Sequence, residues 1–197
     1  MSVAQWPTSG AESCLSTQSE SPPSSLKPFP PLISGVLFLI VFALLHVFWQ
    51  NSRGTAVERL LIDTVTVKTA ANLVVLLTPE VHATADGSRI RAPGGGLNIL
   101  NGCEGIDVLF LLVAAFVAFP LPWRNRLLGL MAGAVFVFCL NQVRIVALFY
   151  AFRADKALFD LLHGTVAPVI LITLTSLFFL AWTRGGIGQR STLMPHA

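Results

Sequence analysis

The feature that most limits how this chain folds is a series of five long apolar runs, at residues 32–49, about 60–78, about 106–123, 127–150 and about 157–182. Each approaches the ~17–25 residues that a helix needs to cross the hydrocarbon of a bilayer. Composition agrees, since 54% of the 197 residues are hydrophobic and only 12% are charged, where a soluble domain carries about a quarter. The expected fold is an all-α integral membrane protein of about five transmembrane helices in a single domain. The second run carries Asp63 and Lys68, so it either spans or lies partly in the interface. The third is expected to end at Pro120 and Pro122, because proline cannot continue a helix.

Residues 1–31 are rich in Ser and Pro, with Ser-Pro-Pro-Ser-Ser at 21–25, and predict a disordered N-terminal tail. The first apolar run begins near Leu32, too late for a secretory signal, and is read as a retained span. The membrane-embedded part is expected over 32–183, followed by a cytoplasmic C-terminal tail at 184–197. Between the second and third runs, Pro79 to Cys103 holds Asp86-Gly87, a hairpin-turn pair, then Ser88-Arg89-Ile90-Arg91 and Gly94-Gly95-Gly96. That pattern predicts a small extracytoplasmic β-ribbon. No repeat is visible along the sequence, which argues against a transporter built of homologous halves.

The net charge of +3 comes mostly from short Arg-bearing connections. It is a topology signal and leaves no nucleic-acid footprint. Basic short loops stay cytoplasmic, which places Trp123-Arg124-Asn125-Arg126 inside, with Arg184 and Arg190 of the tail. If all five runs cross, the connection with Arg53 and Arg59 is inside as well. The ribbon and the Arg153 to Asp160 connection then face outward, although Arg89, Arg91, Arg153 and Lys156 oppose that sense.

Ionisable groups within spans mark pathways or sites. Cys103 stands at the outward mouth of the third run, in Asn101-Gly102-Cys103-Glu104-Gly105; Arg144 lies six residues before Tyr150; His163 lies about six residues into the fifth run. At ~1.5 Å per residue, the last two sit about 9 Å below the outward ends of their helices. Thiol, guanidinium and imidazole therefore share one side and one depth. Acyl transfer uses such a set. A free thiol ionises near pH ~8.5, so an imidazole is needed to take its proton. A fixed guanidinium suits the oxyanion of a tetrahedral intermediate. Gly102 and Gly105 let a substrate backbone approach, and Asn141, one turn before Arg144, is placed to orient that arginine or the substrate.

Each residue also has a structural alternative. Cys103 is a small packing residue without its context, Arg144 snorkels or meets a helix carbonyl, and His163 makes a polar contact between helices. Cys139, between Phe138 and Leu140, reads as packing, as does His46; Cys14 is in the tail, and His82 is the competing base. The cysteines show no CxxC or Cys/His ligand spacing, so neither a metal nor a cofactor is expected. Two other functions stay open: a non-enzymatic membrane assembly or export factor, and a small transporter using Asp63, Lys68 and Arg144.

Asn-Gly-Cys-Glu-Gly-Ile at 101–106, Ala-Phe-Pro-Leu-Pro-Trp at 118–123, Leu-Asn-Gln-Val-Arg-Ile at 140–145, Ala-Leu-Phe-Tyr at 147–150 and Phe-Asp-Leu-Leu-His at 159–163 together resemble the exosortases and archaeosortases. The resemblance covers about residues 70–182 and is strongest to short bacterial exosortases without an added soluble domain. It implies a cysteine transpeptidase or peptidase of the bacterial cytoplasmic membrane whose active site faces the extracytoplasmic side. Cys103, Arg144 and His163 correspond to the family's catalytic residues, with Gly102, Glu104, Gly105 and Asn141 around the substrate. The implied partners are membrane lipid, secreted proteins ending in a short motif, a transmembrane helix and a basic cluster, and an envelope acceptor, or water in its place. Many relatives carry Ser or Asn where Glu104 stands. A carboxylate there raises the thiol pKa unless it points away or pairs with Arg144.

Overall fold

Pro31 opens helix α1 (Pro31–Asn51), its fixed φ suiting a first helical position where no N–H is needed. In the computed structural model, which describes residues 30–99 and 105–191, α1 lies against α4 (Ile106–Ala118), with Phe38 beside Val108 and Leu112 and His46 beside Asp107. Leu32, Leu39, Leu44 and Phe48 stay more than half exposed, the distribution of a helix whose other faces meet lipid. Expectations for residues 1–29, Gly102, Cys103 and Glu104 lie outside the described residues.

Next come α2 (Ala56–Arg59), a π-helical segment (Leu60–Val67) and α3 (Lys68–Leu77), which run on as one helix of 22 residues. The hydroxyl of Thr66 also donates to the Leu61 carbonyl at 2.9 Å, five residues back, the same spacing that the backbone bonds of π winding span. A short 3₁₀ turn (Pro79–Val81) leads to β1 (Thr84–Asp86), β2 (Arg89–Arg91) and β3 (Leu97–Asn98), an antiparallel sheet in the order β1-β2-β3. Its hairpin loop is Gly87-Ser88, one residue beyond the expected pair, because Asp86 is still paired with Arg89; Gly87 takes the positive φ of 56° that such a loop demands.

After α4, Phe119 is already extended, with φ −88° and ψ 136°, because the residue before a proline is driven out of the α region. The helix thus ends at Ala118, before Pro120 and Pro122. Pro122 is the N-cap of α5 (Trp123–Ala154). Asp155 is extended and accepts a hydrogen bond from the Ala157 N–H at 3.0 Å, capping α6 (Lys156–Leu161). A second π-helical segment (Leu162–Val166) joins α6 to α7 (Ala167–Ser191). Among the described residues, four helical stretches are long and apolar enough to cross a membrane, and α4 is a shorter apolar helix.

Helices α1, α4, α5 and α7 alternate in direction. His46 of α1 meets Asp107 at the start of α4; Gly129 of α5 lies against Phe116 near the end of α4 and Trp182 near the end of α7. The helix 56–77 departs from this alternation. Its Leu61 and Val65 share a crevice with Phe138 and Asn141 of α5, whereas its end at Thr78 hydrogen-bonds Tyr150 at 2.7 Å. It therefore runs parallel to α5, starting at the level of Gly105 near the end of α1 and rising past it to Tyr150 on α5. Arg53 and Arg59 consequently lie at the Gly105 end, away from Arg124, Arg126 and Arg184. The alternation implied for five full crossings does not hold for this helix, because its inner face is covered by the ribbon as well as by α5.

Two apolar clusters are stacked along the bundle. One joins Trp49, Ile62, Val67 and Val74 to Ile90, Leu97 and Ile99 of the ribbon and to Ile145, Leu148 and Phe149 of α5. The other joins Val108, Leu112 and Phe116 of α4 to Val137 and Leu171. Within the second, a β-carbon at Gly133 would lie 2.5 Å from Leu112 Cδ2 and 3.0 Å from Phe178 Cε1, so the Gly129 and Gly133 pair brings α4 and α7 against α5 by small-residue packing.

Candidate active site

The site forms at the seam between those clusters. On α4, Ile106 packs against the first and Val108 belongs to the second; on α5, Ile145 belongs to the first and Val137 to the second. Between them α5 places Asn141 and Gln142, polar side chains only 3% and 4% exposed. Burying amides at mid-helix in an apolar bundle is costly unless they are given partners, so their presence marks this level as polar by design of the sequence.

Gly105 is the N-cap of α4 and has φ 74° and ψ 4°, the left-handed region, open to glycine at little cost. A β-carbon there would lie 2.8 Å from Asn141 Cγ. The turn that enters α4 is thus seated directly on the Asn141 amide. Beside it runs a crevice of about 100 Å³ lined by Leu61, Thr66, Gly105, Phe138 and Asn141 among others. Arg144 follows Asn141 by one helical turn and is half-buried.

His163 lies in the π-helical segment after α6, a winding that recurs at functional sites. Its ring stacks on Phe159, with centroids 5.3 Å apart and planes 8° from parallel. Phe159 in turn meets Phe152 of α5 edge-on at 5.4 Å. This chain of rings ties the histidine to the end of the helix that carries Arg144. Arg153 secures the same end, donating to the Pro93 carbonyl at 2.8 Å across the glycine run of the ribbon.

The structure therefore brings Gly105 and Asn141 together and packs the His163 segment against the α5 that carries Arg144. His82, the left-handed residue that ends the 3₁₀ turn with φ 47°, is exposed. Cys139, the free cysteine among the described residues, is exposed on α5, on an outward face and not in the core.

The transmembrane exosortase family model matches residues 31–180 of this sequence. The chain belongs to this family. As an exosortase it is a membrane protein of a sorting transpeptidase class. The match begins at the first residue of α1, so the first span lies within the matched region. Comparison with curated proteins and with solved structures gives no match.

One feature escaped the sequence. His46, expected to be packing, is 43% exposed at its side chain, and its Nδ1 lies 3.5 Å from Asp107 Oδ1. The pair joins residues 61 positions apart, and no spacing rule links them. The signal was an ionisable residue inside the first span.

Proposed function

We propose that this exosortase is a cysteine transpeptidase that cleaves the C-terminal sorting signal of exported proteins at the outer side of the bacterial cytoplasmic membrane and passes them to an envelope acceptor. Cys103 is the nucleophile, Arg144 stabilises the oxyanion, and His163 is base and then acid. Gly102, Glu104, Gly105 and Asn141 line the substrate. The observation that carries this reading is the seating of Gly105 on Asn141. Cys103 is two residues from Gly105, within about 7 Å of chain reach, and Arg144 is one turn from Asn141, so a nucleophile and a guanidinium are tethered to the two sides of one contact.

The chemistry then runs through the chain's own groups. His163 takes the proton of the Cys103 thiol, and the sulfur attacks the carbonyl of the scissile bond. Charge develops on the carbonyl oxygen, where a fixed donor in a water-poor site contributes about 3–4 kcal/mol. Collapse of the intermediate breaks the C–N bond, His163 returns the proton to the leaving amine, and a thioester remains on Cys103. An amine of the acceptor, or water, attacks that thioester and releases the thiol.

The test is trapping. The protein is co-expressed with an exported protein that ends in a short motif, a transmembrane helix and a basic cluster, and membranes are probed for an adduct cleaved by hydroxylamine. Wild type and Cys139→Ala should both give the adduct and process the substrate, while Cys103→Ala should give neither. Processing that survives Cys103→Ala would remove the cysteine enzyme and leave an assembly factor in its place.

A further inference from the structure

We propose that the slot between α1 and α7, floored by α4, is the docking groove for the transmembrane helix of the substrate, held there by apolar packing and one hydrogen bond to Thr175. The inference rests on the acyl-transfer reading above and assigns the surface that takes the segment beside the scissile bond.

The slot follows from how α4 is packed. This helix has 13 residues, about 20 Å, against the ~30 Å of a bilayer's hydrocarbon. Both α1 and α7 lie against it. Between them is a gap of about 360 Å³, with Val108, Leu112 and Ala115 of α4 as its floor, Phe38 of α1 as one wall, and Ile172 and Phe179 of α7 as the other. Among the described residues no charged side chain lines it.

Thr175, in the α7 wall, is only 4% exposed, and its hydroxyl has no hydrogen-bond partner. Two neighbours on the same helix turn back onto the preceding turn, as hydroxyls in membrane helices commonly do: Ser176 donates to the Ile172 carbonyl at 2.8 Å and Thr183 to the Phe179 carbonyl at 3.0 Å. Thr175 does not, although Leu171 stands at the same spacing. Leaving a buried hydroxyl unpaired is costly, and a partner arriving in the slot removes that cost. A turn about χ1 suffices to present the oxygen, because Thr in a helix divides between two rotamers.

Its depth can be read from the rings below it. Phe179 of α7 meets Phe116 of α4 edge-on at 5.1 Å, and Thr175 and Leu112 each lie one turn before. Thr175 is therefore level with Leu112, seven residues past Gly105 and about 10 Å along the bundle from it.

These features select a helix as the occupant. A lipid tail fills apolar space but offers nothing to a hydroxyl. A transmembrane helix brings a row of apolar side chains for the gap and a hydroxyl, amide or carbonyl for Thr175. Ala115 and Ser176, both lining the slot, are small enough to let a second backbone come close. The slot begins at Val108, one turn past Gly105, so a substrate whose scissile bond sits at the Gly105–Asn141 contact meets it as its helix enters the bilayer. The group that bonds Thr175 is expected about seven residues into that helix.

The test reads docking apart from chemistry. With Cys14, Cys103 and Cys139 replaced by alanine, Ser176→Cys, Leu177→Cys and Ala134→Cys are each paired with single cysteines along the transmembrane helix of the trapping substrate and oxidised in membranes. Ser176→Cys should form disulfides at substrate positions three to four residues apart. Leu177→Cys, on the same helix but outside the slot and 55% exposed in its parent, should give at least about tenfold less. Equal linkage of the two overturns the proposal, as does preferential linkage of Ala134→Cys, which lines the crevice beside Asn141. Links of Ser176→Cys only to a second copy of the protein, or none at all, overturn it too, the last leaving lipid as the occupant. Thr175→Val in the otherwise wild-type protein separates docking from folding. It deletes a hydroxyl that has no partner in the protein alone, so the thermal midpoint should hold or rise. Adduct formation at limiting substrate should fall about threefold, as loss of one interhelical hydrogen bond in lipid implies, and recover when substrate is abundant. A lower midpoint with unchanged adduct would make Thr175 structural and overturn the proposal. If wild type forms no Cys103-dependent adduct while Ser176→Cys still links to the substrate helix, the groove stands and the acyl-transfer reading falls alone.

Discussion

Gly105 shows how much of this site hangs on one absent side chain. Its φ of 74° costs an L-residue about 1–2 kcal/mol, and a β-carbon would press on Asn141 at 2.8 Å. Gly105→Ala is therefore expected to lower adduct formation at least about tenfold, through the 1.4 kcal/mol that each factor of ten represents. Asn141→Ala in the same chain removes the contacts with Cγ and Oδ1 but leaves the β-carbon at 3.1 Å and the backbone strain, so the double variant should recover part of the loss; measuring all four proteins gives the coupling directly. If Asn141→Ala makes Gly105→Ala worse by its full separate effect, the two residues act independently and the contact carries no function. Cys103, Arg144 and His163 could be singled out because ionisable residues stand out in apolar runs. The seat of Gly105 on Asn141 was legible only as a flanking glycine and a turn spacing, since which residue fills the space above a glycine depends on packing between helices.

At the scale of elements, the apolar runs locate the long helices of the described residues, and prolines explain where α4 stops. The sequence over-extends α4 because hydropathy continues through Phe119 and Leu121, while backbone sterics before Pro120 and Pro122 end the helix at Ala118. The direction of the helix 56–77 was not legible, since an apolar run reports burial and not whether lipid, a ribbon or another helix provides it. What fixes the helices relative to one another is the close packing at Gly129 and Gly133. Gly133→Leu would drive a side chain into Leu112 and Phe178, and overpacking of this kind costs about 1–3 kcal/mol or more. The purified protein in detergent should unfold several degrees lower. Gly35→Ala on α1, where nothing lies within 4 Å, should leave the midpoint unchanged or raise it slightly, since alanine is the better helix former. Equal midpoints for wild type and Gly133→Leu would mean that α4, α5 and α7 are not held by this contact.

For the whole molecule, the proposed outward orientation of the Gly105 end rests on the exported substrates proposed above, because the basic residues divide against it. Arg124, Arg126 and Arg184 mark one end, and Arg53, Arg59, Arg89, Arg91, Arg153 and Lys156 gather at the other. Positive charge in short loops normally remains cytoplasmic, so the Gly105 end faces outward only if its arginines are held in place by folded structure. Two of them are: Arg91 pairs with Asp86 and Arg153 with the Pro93 carbonyl. With Cys14, Cys103 and Cys139 replaced by alanine, Ser88→Cys on the ribbon and Trp123→Cys at the opposite end can be labelled in intact cells by a membrane-impermeant maleimide. Ser88→Cys is expected to react at once, and Trp123→Cys, whose parent side chain is 72% exposed, only after permeabilisation. The reverse pattern would put the Gly105 end in the cytoplasm, beyond the reach of exported proteins. The protein would still be an exosortase by family, but the thiol, the guanidinium and the imidazole of His163 would face the wrong compartment for the reaction proposed.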